Sequence, residues 1–263
     1  MAGNDTGHLD GFNSPYIMIR PVPSTLAATG LIAAFGVNAQ LLTGWDTSTL
    51  TGGAGNWGPS PLAATTVAPN LTVTSPLARG AGIETLAGTT AAARGWGGAN
   101  WQNADANNAI ANGDTISFAV AANTGYALSL SALNLGYRRS SSGPSSGLLQ
   151  YQVGTGGYLD ITTLNYTVTA STGARVPAVD LSGISALQNV GASTPVSFRL
   201  ANYGGTAVNG TWYLFDLAPT STAADLSISG TLTAVPEPSE YAAMAGAGLI
   251  GFAVWRRRQA RKA

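Results

Sequence analysis

Apolar and polar residues alternate with a period of two through the middle of the chain. Ile116, Phe118 and Val120 alternate with Thr115, Ser117 and Ala119; Tyr126, Leu128 and Leu130 alternate with Ala127, Ser129 and Ser131. Alternation of this kind puts every second side chain on one face of a strand, so one face is buried and the other wetted. Further strands are predicted over 69–75, 148–153, 158–168, 195–203, 211–217 and 225–234. Between them lie Asn112-Gly113-Asp114, Asn123-Thr124-Gly125, Ser142-Gly143-Pro144 and Asn209-Gly210. Those residue types bond their own backbone or accept a positive φ, which is turn chemistry. The pattern predicts an all-β fold, an antiparallel β-sandwich of jelly-roll-like type. Residues 100–113 read as a polar loop with room for a short helical turn, and Thr43 to Gly98, rich in Gly, Ala, Thr and Pro, as long irregular connections. No repeat recurs at periods of about 20 to 50 residues, which argues against a solenoid or propeller.

The two ends break the pattern. Residues 18–39 contain one arginine, Arg20, then an apolar stretch from Leu26 to Val37, then Val37-Asn38-Ala39. A charge, an apolar run and a small residue in that order predict a secretory signal helix cleaved between Ala39 and Gln40. A buried core helix is the alternative for so short a run. The preceding residues 1–17 hold Asp5 and Asp10 and no basic residue, the wrong charge for the start of a signal, so Met18 is expected to be the true start and 1–17 a mis-assigned upstream extension. At the other end, Pro236 and Pro238 flank Glu237, and Tyr241 to Trp255 carries no charge before Arg256-Arg257-Arg258. At 1.5 Å per residue this run covers about 22 Å, short of the ~30 Å hydrocarbon core of a bilayer. It is nevertheless expected to span as a transmembrane helix over 241–255, with Trp255 at the interface and the arginines as a membrane stop on the cytoplasmic side.

Val235-Pro236-Glu237-Pro238-Ser239, a short glycine-rich apolar run and an arginine cluster, in that order, resemble the PEP-CTERM sorting signal of Gram-negative bacteria. The resemblance covers residues 235–263 and departs at Glu240, where the family commonly has an uncharged residue. It implies recognition by an exosortase, an inner-membrane transpeptidase-like enzyme, with cleavage near Pro-Glu-Pro and release to the cell surface or extracellular polysaccharide. An ordinary C-terminal anchor is the other reading of the same residues. A second resemblance lies in the body. Asn112-Gly113-Asp114 with Ser117-Phe118, Gly125 to Leu130, Arg138-Arg139-Ser140 with Gly143-Pro144, Val196 to Arg199 and Gly210 to Leu214 are similar to a recurrent extracellular jelly-roll domain of bacterial surface proteins. That family often has Asp-Gly where this chain has Gly156-Gly157-Tyr158, and Asp-Asn where it has Phe215-Asp216-Leu217. No established activity comes with the resemblance.

Composition narrows the chemistry. The 263 residues hold no Cys, one His, 12 Lys+Arg and 12 Asp+Glu, and only 9% are charged, against about 25% in ordinary globular chains. A disulfide scaffold is excluded, and no basic footprint for nucleic acid is present. The sole His is His8 and the sole Lys is Lys262, so the body predicted over 40–234 lacks the parts of a Ser-His-Asp triad, a Cys nucleophile, a Schiff-base lysine or a His/Cys zinc site. Carboxylates remain: Asp46, Glu84, Asp105, Asp114, Asp160, Asp180, Asp216 and Asp225. Two of them could flank a glycosidic bond, although most adjoin turn residues and suit capping. Asn103, Asp105, Asn107 and Asp114 fall at positions 1, 3, 5 and 12 of a calcium-type loop, but Asn108 replaces its glycine and the last ligand is Asp. Trp96 and Trp101, with amides nearby, could form a sugar-stacking platform or simply fill the core.

These readings converge on an exported, non-enzymatic surface or matrix protein without cofactor or metal. Its expected partners are an exosortase, the inner membrane transiently, and extracellular polysaccharide. A carbohydrate-binding module or a weak carboxylate glycosidase is the alternative.

Overall fold

The computed structural model describes residues 39–169, 171–218, 223–236 and 238–261. The predicted leader therefore lies outside the described residues except for Ala39, and so does the 1–17 extension. In chain order the described strands are β1 (Gln40–Trp45), β2 (Gly53–Ala54), β3 (Thr66–Val67), β4 (Leu71–Arg79), β5 (Thr90–Ala91), β6 (Gly95–Gly98), β7 (Thr115–Ala122) and β8 (Tyr126–Arg139). They continue with β9 (Ser146–Val153), β10 (Leu159–Asn165), β11 (Ala174–Arg175), β12 (Val179–Asp180), β13 (Val196–Tyr203), β14 (Trp212–Phe215) and β15 (Leu226–Ala234). Helix α1 (Ala106–Asn112) precedes β7, and α2 (Pro238–Ala260) follows β15.

The pairing is antiparallel throughout. One sheet has the order β3-β1-β15-β8-β14-β6, with β11 and β12 also pairing with β8, and the other has β10-β9-β13-β7-β4. The two sheets face each other across one core. Trp45 of β1 meets Phe118 of β7 with ring centroids 4.7 Å apart, and Phe118 stacks on Phe198 of β13 at 5.2 Å. Burial follows the predicted alternation: Ile116, Phe118 and Val120 point inward, as do Val196, Phe198 and Leu200. Each large side chain so buried contributes about 1.5–3 kcal/mol relative to exposure. The fold is an antiparallel β-sandwich.

Five strands, β1, β2, β3, β5 and β6, lie wholly or partly where irregular chain was expected. β1 sits between β3 and β15, and β6 pairs with β14. β6 reads Gly95-Trp96-Gly97-Gly98, a composition that suggests a loop. The glycines serve close approach instead: a Cβ on Gly97 would collide with the Trp212 carbonyl oxygen. β8 runs 14 residues, far beyond the predicted 126–131, and is the spine to which β15, β14, β11 and β12 all bond. Within 100–113, α1 is a closed local unit. Asp105 caps it by accepting from the Asn108 N–H at 2.9 Å, and Gly113, at φ 79°, returns its N–H to Ala109 and Ile110. An Asx cap and a left-handed glycine terminus account for its start and its end.

The C-terminal expectation is corrected in two respects. α2 begins at Pro238 and carries Arg256, Arg257 and Arg258 inside it, so the helix exceeds the predicted 241–255 at both ends. Among the described residues, no helix is long and apolar enough to cross a membrane. The charge-free run stops at Trp255, many of its residues are Ala or Gly, and extending it admits either Glu240 or the arginines.

Candidate functional site: the C-terminal sorting segment

β15 ends at Ala234, paired with Tyr126 of β8, and the Val235 N–H donates to the Gly125 carbonyl at 2.8 Å. Val235 is thus the last residue held to the sheet by a backbone bond at this edge. Pro236 has no N–H with which to continue the ladder. Glu237 lies outside the described residues, and Pro238 and Ser239 open α2, where a proline fits the first turn because its missing donor is not needed there. Past the motif the helix stays exposed. Leu249, Ile250, Phe252 and Trp255 all present more than half of their surface. Arg257 and Arg258 occupy the last turn, where cations complement the helix dipole.

A strand end, a Pro-Glu-Pro break, an exposed apolar helix and a terminal arginine cluster match, over residues 234–258, the PEP-CTERM protein-sorting motif. This segment is a PEP-CTERM motif. It implies processing by an exosortase and an exported precursor associated with the membrane. The match runs from the last residue of β15 through the third arginine, and so includes Val235, Pro236, Glu237, Pro238 and Ser239 together with Arg256, Arg257 and Arg258. No curated protein and no solved structure matched the chain.

The two tryptophans offered for sugar stacking are not at the surface. Trp96 and Trp101 are both 0% exposed. The Trp96 indole donates to the Pro59 carbonyl and has the Arg79 guanidinium over its ring at 4.5 Å. Burial pulls that guanidinium down to about 10. Trp101 donates to the Gly98 carbonyl at 3.0 Å and packs edge-on against Trp212. Neither indole has a free face for a sugar, because both complete the core that the flanking glycines allow them to enter.

The acids are held by the fold. Asp46 accepts from the Ser48 N–H at 2.8 Å, Asp180 from the Ser182 N–H at 2.8 Å, and Glu84 from Asn100 at 3.0 Å. The Ser182 hydroxyl and N–H hold the Asp180 carboxyl below its ordinary value. Asp216 pairs with Arg94 at 3.2 Å, and Asp225 accepts the Thr47 N–H at 2.9 Å. Asp114 bonds Asn103, and burial pushes both Asp114 and Asp225 above the ordinary carboxylate range. Asp105 is spent on the α1 cap, so Asn103, Asp105, Asn107 and Asp114 form a capped helix and its flank, not a calcium loop. Among the described residues, no group of three or more His, Cys, Asp or Glu is placed to hold a metal. A groove of about 550 Å³ between β10 and residues 176–180 contains one carboxylate, Asp180.

One constellation escaped the sequence. On the outer face of the second sheet, Arg199 of β13 donates through Nε and Nη2 to Gln150 Oε1 of β9, at 2.9 and 2.6 Å. Gln150 in turn donates to Asp160 of β10 at 2.7 Å, and Arg199 lies over the Tyr158 ring at 3.8 Å. The outward parity of each residue was readable in its own strand. The register Arg199–Gln150–Asp160 was not, because it depends on three strands aligning.

Proposed function

We propose that this protein is a non-enzymatic β-sandwich of jelly-roll type, exported behind a leader cleaved after Ala39. We infer that it is held at the inner membrane by its PEP-CTERM motif and transferred by an exosortase to the cell surface or extracellular polymer. One observation carries the reading. The motif starts where the last strand ends, so removing it takes no strand and no core residue from the sandwich. A disposable address attached to a self-sufficient body is what a sorted cargo requires. The engagement of the acids in caps, ion pairs and backbone bonds supports a structural role for them over glycoside hydrolysis, which needs two carboxyls converging on one bond. The intact mass of the surface form tests the proposal: a chain beginning at Gln40 and ending near Pro238 agrees with it, and one still ending at Ala263 overturns the sorting step.

A second reading, polysaccharide binding by the body, is favoured by the Tyr158–Arg199–Gln150–Asp160 ladder. Fixed planar polar groups beside an aromatic ring suit sugar hydroxyls and C–H faces. Glycan-array binding that disappears in Arg199→Ala and Tyr158→Ala would support it; absence of binding to any glycan would remove it.

A further inference from the structure

Both predicted processing junctions leave the sandwich from the same end. β1 starts at Gln40, opposite Gly230 of the antiparallel β15, and β15 ends four residues later at Ala234. The rest of that end is fixed by backbone hydrogen bonds around it: the Val235 N–H donates to Gly125, Asn123 to Asn70, Ser193 to Ala122, and Gly154 to Pro195. The segments that build it are 39–43, 67–74, 119–131, 152–158, 188–198 and 228–236. They contain no Asp, Glu, Lys, Arg or His. The six arginines and eight acids of residues 40–235 lie outside these segments: Asp180, opposite Ala132, Asp160, opposite Gln150, and Arg199, over the Tyr158 ring, border them, and others close the far ends of the same strands, Asp46 after β1, Asp114 before β7, Arg138 and Arg139 at the end of β8, and Asp225 before β15.

We propose that this charge-free end is the face that the sandwich turns to the lipid surface in the membrane-associated precursor. The inference rests on the sorting reading above and goes beyond it by assigning the docking surface. Three residues, 235–237, separate the last strand from α2. Fully extended they reach only about 10 Å, so a bilayer that takes up α2 brings this end against the headgroups. The chemistry fits that occupant. Thr72, Asn123, Thr124, Asn189, Ser193 and Thr233 offer exposed hydroxyl and amide groups, and Leu41 and Val235 expose apolar surface at 42% and 51%. The body between Gln40 and Val235 has two more acids than arginines. The far end of the 14-residue β8 lies roughly 45 Å away, well beyond the ~8–10 Å over which anionic headgroups are felt in physiological salt. Hydrogen-bonding neutrality at the tip of one end lets the domain rest on a bilayer with the acids at the far ends of its strands held away from the headgroups.

Because the chain has no cysteine, single labels report orientation directly. The full chain carrying a nitroxide at Thr124→Cys or Ala192→Cys (charge-free end), Ala104→Cys or Ser141→Cys (far end), or Ala247→Cys (α2) is bound to phosphatidylethanolamine/phosphatidylglycerol vesicles containing a nickel-chelating lipid. The expected result is relaxation by the lipid-borne nickel several-fold stronger at 124 and 192 than at 104 and 141. Equal relaxation at all four body sites, with the label at 247 shielded from aqueous quencher, overturns the docking surface while leaving membrane association intact. A label at 247 that stays in water overturns both.

Discussion

Five of the six tryptophans, Trp45, Trp57, Trp96, Trp101 and Trp212, are at most 1% exposed, whereas Trp255 in α2 is 56% exposed. The two regions use the same residue type for opposite purposes. In the sandwich indoles pack against rings from other parts of the chain, and those of Trp45, Trp57 and Trp96 donate to the loop carbonyls of Leu62, Leu86 and Pro59, so their stabilisation is internal and largely long-range. In α2 the apolar side chains have no such partners: Phe252 touches Trp255, three residues along its own helix, at 5.8 Å. An apolar helix with so little internal reward for its composition fits the membrane-associated precursor that the sorting motif implies. The contrast teaches that the cargo and its address are energetically separable.

The largest test of the separation is a core truncation. Trp45→Ala is expected to cost about 3–5 kcal/mol, because it opens a cavity against Phe118, while Phe252→Ala should change the sandwich's unfolding free energy by less than about 0.5 kcal/mol. Urea denaturation followed by tryptophan fluorescence measures both, and a comparable loss in the two variants would erase the distinction. Next comes the buried acid at the start of β15. Asp225→Ala removes the acceptor of the Thr47 N–H and one of the two acceptors of its hydroxyl, the other being the Arg94 carbonyl, and should cost about 1–3 kcal/mol through the buried N–H it strands.

The same acid gives a pH dependence with a definite sign. Burial raises Asp225 and Asp114 above their ordinary value of 3.8, so the folded state holds these protons more tightly than the unfolded state does. Their contribution is fully present at low pH and is lost as pH rises from the ordinary value through the raised one. Asp180, held low by Ser182, runs the other way, its contribution being lost as pH falls. Thermal melts across this range should therefore decline less steeply with rising pH in Asp114→Asn and Asp225→Asn than in the parent chain. An unchanged slope in both would remove the burial argument.

A smaller effect belongs to the cap of α1. Asp105→Ala should cost about 0.5–2 kcal/mol, read as an earlier thermal transition. Asp105→Asn should recover most of it, since either side chain accepts from the Asn108 N–H; no recovery would mean the site does more than cap.

Much of this was legible along the chain. Strands β7, β8, β13 and β15 announce themselves by alternation, and the turns between them by Asn-Gly and Gly-Pro chemistry, because parity and φ preferences are properties of adjacent residues. The PEP-CTERM motif was equally legible, since it is read as a linear string. β6 was hidden because glycines that permit close strand packing look like loop glycines when the neighbouring strand is unknown. Trp96 and Trp101 were ambiguous for the same reason: an indole beside amides is compatible with a sugar platform or with a core.

The order of residues alone thus determined the β class, the positions of most central strands, the chemistries that a body without Cys, His or Lys cannot perform, and the address at the C-terminus. Tertiary structure alone decided which indoles are enclosed, which polar groups meet across β13, β9 and β10, and that the start of β1 and the end of β15 emerge at the same end of the sandwich. The physical reason is that periodicity is local, whereas register is set by hydrogen bonds between strands far apart in the chain.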